Sequence, residues 1–168
     1  GDVYKRQLAY DIYEDDDLKA LGVQYLPQNE VLAAADVVSL HCPLTPENHY
    51  LINKDTIMHM KPGVVIINTS RGGLICTTDV IDALKEKRVG ALGIDVYEQE
   101  DKLFFRDLSE NIIDDDNIQR LMSFPNVLVT AHQAFFTDEA LTQIAQVTLN
   151  SINTFAEGNE PDANVVLV

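Results

Sequence analysis

Basic residues are scarce in this sequence, where 12 Lys and Arg stand against 27 Asp and Glu and give a net charge of −15 at pH 7. Nucleic-acid binding needs a basic surface that neutralises phosphates, so this composition argues against that class of partner. The overall field would also fail to attract a small anionic substrate. Any carboxylate ligand therefore needs a dedicated local cation.

Cysteines and long apolar runs are scarce as well. The two cysteines, Cys42 and Cys76, are isolated from each other and from any His-rich segment, so we expect neither a disulfide framework nor a zinc site. No apolar run is long enough to cross a bilayer, and the first residues lack a signal-peptide pattern. We therefore expect a cytoplasmic protein with no membrane partner.

Short apolar runs alternate with helical segments along most of the chain. This alternation, with strands that are almost continuously apolar, predicts an α/β fold built on a parallel sheet. The predicted strands are 8–11, 23–26, 36–41, 64–68, 91–96 and 127–130. The 64–68 run, VVIIN, is the most β-branched and predicts a strand buried on both faces. A long last helix is predicted from Thr137 to about Glu157.

Residues that follow the predicted strands are the candidates for chemistry, because ligands of open parallel sheets bind beyond the carboxyl ends of the strands. These segments are Asp11, 41–45, 69–73, 95–98 and 132–135. An acid such as Asp11 at the end of a second strand can accept hydrogen bonds from the adenosine ribose and repel the 2′-phosphate of NADP. No Arg follows it, which favours NAD. Taken alone, an Asp at a strand end is more often a turn residue.

Two further residues are matched to a carboxylic acid substrate. Arg71 lies between Ser70 and a Gly pair, where its guanidinium can bind a carboxylate through two parallel hydrogen bonds. A surface arginine in a turn explains it equally well. His132 can exchange a proton with a substrate oxygen near neutral pH. A lone histidine is more often structural, which is our interpretation of His41, His49 and His59.

Glu100 completes the candidate set. It lies just past the 91–96 strand among several acids, most of which we expect to be solvated. One carboxylate bonded to the imidazole would hold it in a single tautomer. Arg71, Glu100 and His132 follow three successive strands in that order. A cation for a carboxylate and a proton donor are the minimum for reducing a 2-keto acid with NADH, and no structural requirement explains the arrangement.

The chain resembles the D-isomer-specific 2-hydroxyacid dehydrogenase family from Leu8 essentially to its end. The motifs that carry this resemblance are AYD (9–11), LHCPLTPEN (40–48), MKPGVVIINTSRGGLI (60–75), ALGIDVYEQE (91–100) and NVLVTAHQAFFTDEAL (126–141). The resemblance implies a partial Rossmann-like, doubly wound parallel sheet. It divides the chain into an unmatched edge (1–7), an incomplete NAD-binding domain (8–136), and a helix and tail (137–168) that would return to a substrate domain.

The resemblance also implies NAD as the cofactor and a role for each candidate. Arg71 would bind the substrate carboxylate, Glu100 would be the partner of the imidazole, and His132 would be the acid/base. Asp11 would bind the adenosine ribose and Asp95 would lie near the nicotinamide carboxamide. The residues expected to border the cofactor are Asp11, Cys42, Pro43, Thr69, Ser70, Arg71, Asp95 and His132.

Within the family, the HQAFFT segment and the long 103–116 loop resemble the D-lactate branch. Phe135 and Phe136 would form an apolar wall suited to pyruvate, with Phe135 in the substrate pocket beside Arg71. Two alternatives remain open: a bulkier 2-keto acid, or an NAD-sensing co-regulator of the same fold. The resemblance further implies that the parent protein is a homo-oligomer.

One family feature is missing. The sequence contains no G-x-G-x-x-G, which with its strand and helix is expected just before Leu8, and the resemblance implies that the substrate domain is missing as well. Without that turn no helix N-terminus receives the pyrophosphate. We therefore expect this chain to be inactive by itself.

Overall fold

The computed structural model describes residues 6–99, 115–133 and 135–159. The chain divides into two compact units, Gly1–Ala131 and His132–Val168, which are described separately below. The predicted division at 136/137 into an NAD-binding part and a returning part stays a prediction.

Strands and helices alternate through the described part of the first unit. The strands are β1 (Leu8–Ala9), β2 (Gln24–Tyr25), β3 (Val37–Leu40), β4 (Val64–Asn68), β5 (Val89–Ile94) and β6 (Val127–Val129). The helices are α1 (Asp16–Ala20), α2 (Gln28–Ala34), α3 (Lys54–His59), α4 (Thr77–Lys85) and α5 (Asp116–Met122), and a short 3-10 turn covers Gly72–Leu74.

Every strand pair in the described part of this unit is parallel, which confirms the predicted α/β fold. Strands β1 and β2 form one two-stranded sheet. Strands β3, β4, β5 and β6 form a second sheet in that spatial order. Among the described residues the two sheets are not hydrogen-bonded to each other, so β1 and β3 each keep one unpaired edge.

Strand β5 begins at Val89, before its predicted start at residue 91, and therefore includes Gly90. Glycine weakens strand preference, which is why the sequence pattern placed the start later. The structure uses the missing side chain: a Cβ on Gly90 would lie 2.4 Å from the Gly63 carbonyl oxygen. The absence of a side chain at Gly90 therefore allows the turn before β4 to pack closely against the backbone at the start of β5.

Strand β4 lies at the centre of the core, but the expectation that both of its faces are buried is wrong. Val64 and Ile66 are almost inaccessible and join side chains of α3, α4 and α5 in one cluster. Val65 and Ile67, on the opposite face, are only partly covered by the described residues. Full burial of a side chain such as Ile66 contributes about 1.5–3 kcal/mol to the free energy of folding. Because only the helix-covered face is fully buried, that face contributes most of the hydrophobic stabilisation at β4.

The described part of the second unit contains the long helix α6 (Asp138–Ala156), which confirms the predicted last helix. Thr137 caps it by accepting a hydrogen bond from the Ala140 N–H at 3.2 Å. Several apolar side chains of α6 are exposed: Leu141, Ile144, Val147, Leu149, Ile152 and Phe155. Among the described helices, not one combines the length and apolarity needed to cross a membrane.

Candidate active site

The four strands of the larger sheet end level with one another. Leu40 pairs with Asn68, Asn68 pairs with Ile94, and Ile94 pairs with Val129. Because these strands are parallel, the segments that follow them leave the sheet along one edge. The structure thus brings the turns carrying Cys42, Arg71 and Asp95 to the same edge, as predicted.

Arg71 lies in a tight turn directly after β4. Its backbone is extended, with φ −140° and ψ 135°, and its side chain is exposed. One guanidinium nitrogen donates a hydrogen bond to the Ser70 carbonyl oxygen at 2.7 Å. The guanidinium is therefore accessible at the carboxyl edge of the sheet.

The last residue of β4, Asn68, holds this turn in place through hydrogen bonds of its side chain. Its side chain is fully buried. The carboxamide nitrogen donates to the Arg71 carbonyl oxygen at 2.9 Å, and the carboxamide oxygen accepts from the Ser70 N–H at 3.1 Å. The Asn68 backbone carbonyl accepts from the Asp95 N–H at 3.0 Å, so the turn is also joined to the end of β5.

A second asparagine braces the neighbouring turn after β3. The carboxamide of Asn48 accepts a hydrogen bond from the Thr45 N–H at 2.8 Å and donates one to the Pro43 carbonyl at 2.7 Å. The Ser70 hydroxyl donates to the Cys42 carbonyl at 2.6 Å. That bond joins the two turns, so the predicted cofactor-facing residues Cys42, Pro43 and Ser70 belong to one connected network.

Asp95 directly follows β5 and is only 8% exposed. Its carboxylate accepts a hydrogen bond from the Thr130 hydroxyl at 2.5 Å. The Thr130 N–H in turn donates to the Ile94 carbonyl at 3.0 Å. Thr130 thus fixes a buried carboxylate at the edge of the sheet, between the ends of β5 and β6.

Asp11 lies two residues beyond β1, in the smaller sheet, and is exposed. Its carboxylate accepts a hydrogen bond from the Tyr13 N–H at 3.0 Å. The structure therefore supports the turn interpretation of Asp11. Its role toward the adenosine ribose stays a prediction.

Tyr97 and Asp115 connect the two described ends that flank residues 100–114. The Tyr97 ring is 2% exposed, and its hydroxyl lies 2.9 Å from each Asp115 carboxylate oxygen. Burial, followed by the hydrogen bond to Asp115, raises the pKa of Tyr97. Asp115 also caps α5 by accepting from the N–H groups of Asn117 and Ile118 at 3.0 Å.

The second unit begins at His132, which is partly buried. Ala131 and His132 both adopt left-handed backbone conformations, with φ of 52° and 55°. Phe135 is 40% exposed and Phe136 is 72% exposed, and their rings meet edge to face at 6.3 Å. Glu100 lies outside the described residues, so the grouping of Arg71, Glu100 and His132 stays a prediction.

Sequence reasoning missed the residues that brace the site: Asn48, Asn68, Tyr97, Asp115 and Thr130. A signal was available for Asn68, because a polar residue ending a run of buried β-branched residues must find hydrogen-bond partners nearby. A signal was also available for Asp115, since an acid before an apolar-periodic segment is a typical helix cap. The bonds from Tyr97 and Thr130 span 18 and 35 residues and have no local signal.

Comparisons with known proteins agree with this architecture. The family model described as "D-isomer specific 2-hydroxyacid dehydrogenase, NAD binding domain" matches residues 5–134. A relative from Schizosaccharomyces pombe, named 2-hydroxyacid dehydrogenase homolog 2, is 54% identical over 95% of this chain and 48% of its own length. The chain therefore spans about half the length of the curated relatives it matches.

Two solved structures extend the comparison. The pyruvate reductase of Chlamydomonas reinhardtii is 43% identical, with a TM-score of 0.87 over 92% of this chain and 48% of its own. The D-lactate dehydrogenase of Aquifex aeolicus, solved with NAD and lactic acid, is 35% identical, with a TM-score of 0.81 over 90% of this chain and 46% of its own. The matched profile, the parallel sheet and the level strand ends lead to one conclusion: the chain belongs to the D-isomer-specific 2-hydroxyacid dehydrogenases, within their NAD-binding domain.

Proposed function

We propose that a full-length protein carrying this chain reduces pyruvate to D-lactate with NADH. The observation that carries the proposal is the exposed Arg71 guanidinium on a braced turn at the carboxyl edge of the sheet. In a chain with a net charge of −15, this fixed cation is the local attraction that a small carboxylate needs. Similarity to a pyruvate reductase and to a D-lactate dehydrogenase supports the choice of substrate.

The described residues fit NAD at this edge. Asp95 is a buried carboxylate of the kind that accepts hydrogen bonds from a carboxamide N–H. The turns containing Cys42, Pro43, Thr69 and Ser70 lie along the same edge, where open parallel sheets bind nucleotides. The exposed Asp11 carboxylate would bind the adenosine ribose hydroxyls. When bound, NADH supplies the hydride that reduces the substrate C2.

Arg71 binds and orients the keto acid in this proposal. Its planar guanidinium offers two parallel N–H donors, which match the two oxygens of a carboxylate. A bidentate contact fixes the rotation of the substrate as well as its position, so the C2 carbonyl is presented with one face toward the cofactor. This fixed orientation would give a product of one configuration.

His132 handles the proton in the same proposal. The imidazole donates a proton to the C2 oxygen as that oxygen gains negative charge, and takes it back in the reverse reaction. Glu100 would hold the imidazole in one tautomer through a hydrogen bond. Phe135 would border the substrate methyl group, which favours pyruvate over a more polar acid.

The decisive assay uses the full-length protein with NADH and a panel of 2-keto acids, with the product analysed on a chiral column. We expect pyruvate to be preferred and D-lactate to form. A preference for phenylpyruvate or a branched-chain keto acid would keep the reaction and replace the substrate. Formation of L-lactate would refute the proposal, and tight NADH binding without turnover would favour an NAD-sensing co-regulator.

We further propose a cytoplasmic homo-oligomer, which fractionation and light scattering can test.

A further inference from the structure

Asn68 is the only fully buried polar side chain at the carboxyl edge among the described residues. It occupies the last position of β4, between Leu40 of β3 and Ile94 of β5. Burying an amide without hydrogen-bond partners is costly, so a carboxamide is tolerated here only when its hydrogen bonds are made. Both of its polar atoms make those bonds within the turn that carries Arg71.

We propose that Asn68 is a positioning residue that sets where the Arg71 guanidinium leaves the sheet, an inference that rests on the proposed function. Its carboxamide holds the Arg71 carbonyl oxygen at 2.9 Å and the Ser70 N–H at 3.1 Å. These two bonds fix the backbone on both sides of the peptide group that joins Ser70 to Arg71. Asn68 needs no contact with the substrate for this role.

Two further contacts hold the turn on its other sides and leave Asn68 as its contact with β4. The Ser70 hydroxyl donates to the Cys42 carbonyl at 2.6 Å, which ties the turn to the segment after β3. On its other side, Gly72 lies against the backbone of Tyr97 and Glu98. The turn is thus held by the segments after β3 and β5 and, through the Asn68 carboxamide, by the end of β4. Loss of the carboxamide would let Arg71 shift while the sheet stays intact.

An Asn68→Asp substitution separates positioning from simple packing. The introduced carboxyl group has nearly the same shape, and it can still accept from the Ser70 N–H. When ionised it has no proton for the Arg71 carbonyl, and two oxygens face each other. When protonated it can donate again. The defect should therefore shrink as the pH falls.

The test compares the full-length wild-type protein with Asn68→Asp, Arg71→Lys and the matched control Asn126→Asp. Asn126 makes one carboxamide bond, to the Gly90 carbonyl at 2.7 Å, at the opposite end of the sheet. At pH 8 we expect Asn68→Asp to raise the KM for pyruvate roughly 10- to 100-fold with an unchanged KM for NADH. We expect the pyruvate KM to recover as the pH is lowered, and neither effect in Asn126→Asp.

A double-mutant comparison checks that the effect acts through Arg71. In the Arg71→Lys background, Asn68→Asp should change the pyruvate KM by less than about threefold. An undiminished effect in that background, or equal increases in both KM values without recovery at low pH, would overturn the inference. The affinity of the NADH complex for oxamate can be compared across the same variants without turnover. A failure of the reductase proposal can therefore be told apart from a failure of the Asn68 inference.

Should Asn68→Asp fail to fold, the wild-type protein still provides a test. The Ser70 N–H lies beyond β4 and is bonded to the Asn68 carboxamide, so its hydrogen exchange should be slowed. In Asn68→Ser, which is shorter, the same amide should exchange faster and oxamate should bind more weakly. Unprotected Ser70 in the wild type, or unchanged oxamate binding in Asn68→Ser, would contradict the inference.

Discussion

Gly72 lies so close to Tyr97 that a Cβ added to the glycine would stand 2.0 Å from the Tyr97 carbonyl carbon and 2.2 Å from its oxygen. Backbone cannot yield as a flexible side chain can. The neighbouring Gly73 differs, because its nearest obstacle is a methyl group of Leu44 at 2.9 Å. The turn after Arg71 therefore depends on the absence of a side chain at 72, and much less on its absence at 73.

Gly72→Ala should destabilise the protein and weaken substrate binding together. We expect a loss of about 1–3 kcal/mol in the free energy of unfolding, because either the Arg71 turn or the Tyr97 backbone must move. Urea denaturation and the KM for pyruvate measure the two effects. Gly73→Ala is the matched control, and we expect it to lose less stability because the Leu44 side chain can rotate. Equal losses in the two variants would contradict this account.

His132→Ala should lower kcat of the full-length protein by about 10²- to 10⁴-fold, the contribution typical of a proton-transferring side chain. NADH affinity, measured by fluorescence titration, should change little, since the imidazole acts on the substrate oxygen. His59→Ala is the control: its ring nitrogen lies 2.9 Å from the Asp55 carbonyl within α3, and this variant should keep full turnover. Turnover that survives in His132→Ala would remove the acid/base assignment.

Ala131→Gly should stabilise the protein. Ala131 has a φ of 52°, and a left-handed conformation costs a residue with a Cβ about 1–2 kcal/mol. The greater freedom of glycine in the unfolded chain offsets part of the gain, which leaves about 0.5–1 kcal/mol. Thermal or urea unfolding measures it. Ala33→Gly, in the exposed part of α2, should have the opposite sign because glycine weakens helices. A loss of stability in Ala131→Gly would show that contacts of the Ala131 Cβ stabilise the protein by more than the left-handed backbone destabilises it.

Tyr97→Phe should change the alkaline stability of the protein. Burial raises the pKa of Tyr97, so the folded state favours the neutral phenol. Its contribution is complete below the ordinary tyrosine pKa of about 10 and is lost as the pH rises through the higher folded value. Urea unfolding at pH 8 and pH 11 should show a smaller alkaline loss in Tyr97→Phe than in the wild type. Tyr13→Phe, whose ring is 82% exposed, should behave as the wild type.

The apolar patterning of the strands was sufficient to predict the fold. The runs at β3, β4 and β6 are found within one or two residues of their predicted bounds, because each is a short, mostly apolar run between polar segments. The two faces of β4 could not be told apart in this way. Val65 and Ile66 are chemically alike, and which of them the helices cover depends on packing that a local pattern does not record.

The location of some candidate residues at strand ends could be predicted from the sequence, and their hydrogen bonds could not. Arg71 and Asp95 were placed at strand ends, and the level register confirms that arrangement. The Asp95–Thr130 bond joins residues 35 apart, and the Asp11 carboxylate is engaged by its own turn. Such bonds depend on side-chain geometry set by the finished fold, which no spacing rule contains.

The level ending of β3, β4, β5 and β6 has a consequence for how this architecture can change. The paired residues of the sheet end at Leu40, Asn68, Ile94 and Val129, and just beyond them backbone hydrogen bonds run from Asp95 to Asn68 and from Thr130 to Ile94. A segment grafted after one strand would therefore have to keep the bonds that join it to its neighbours, such as the Ser70 hydroxyl to the Cys42 carbonyl, if the sheet is to stay as it is. Chimeras that exchange one such segment at a time, with these bonds kept or removed, would measure how far the edge tolerates change.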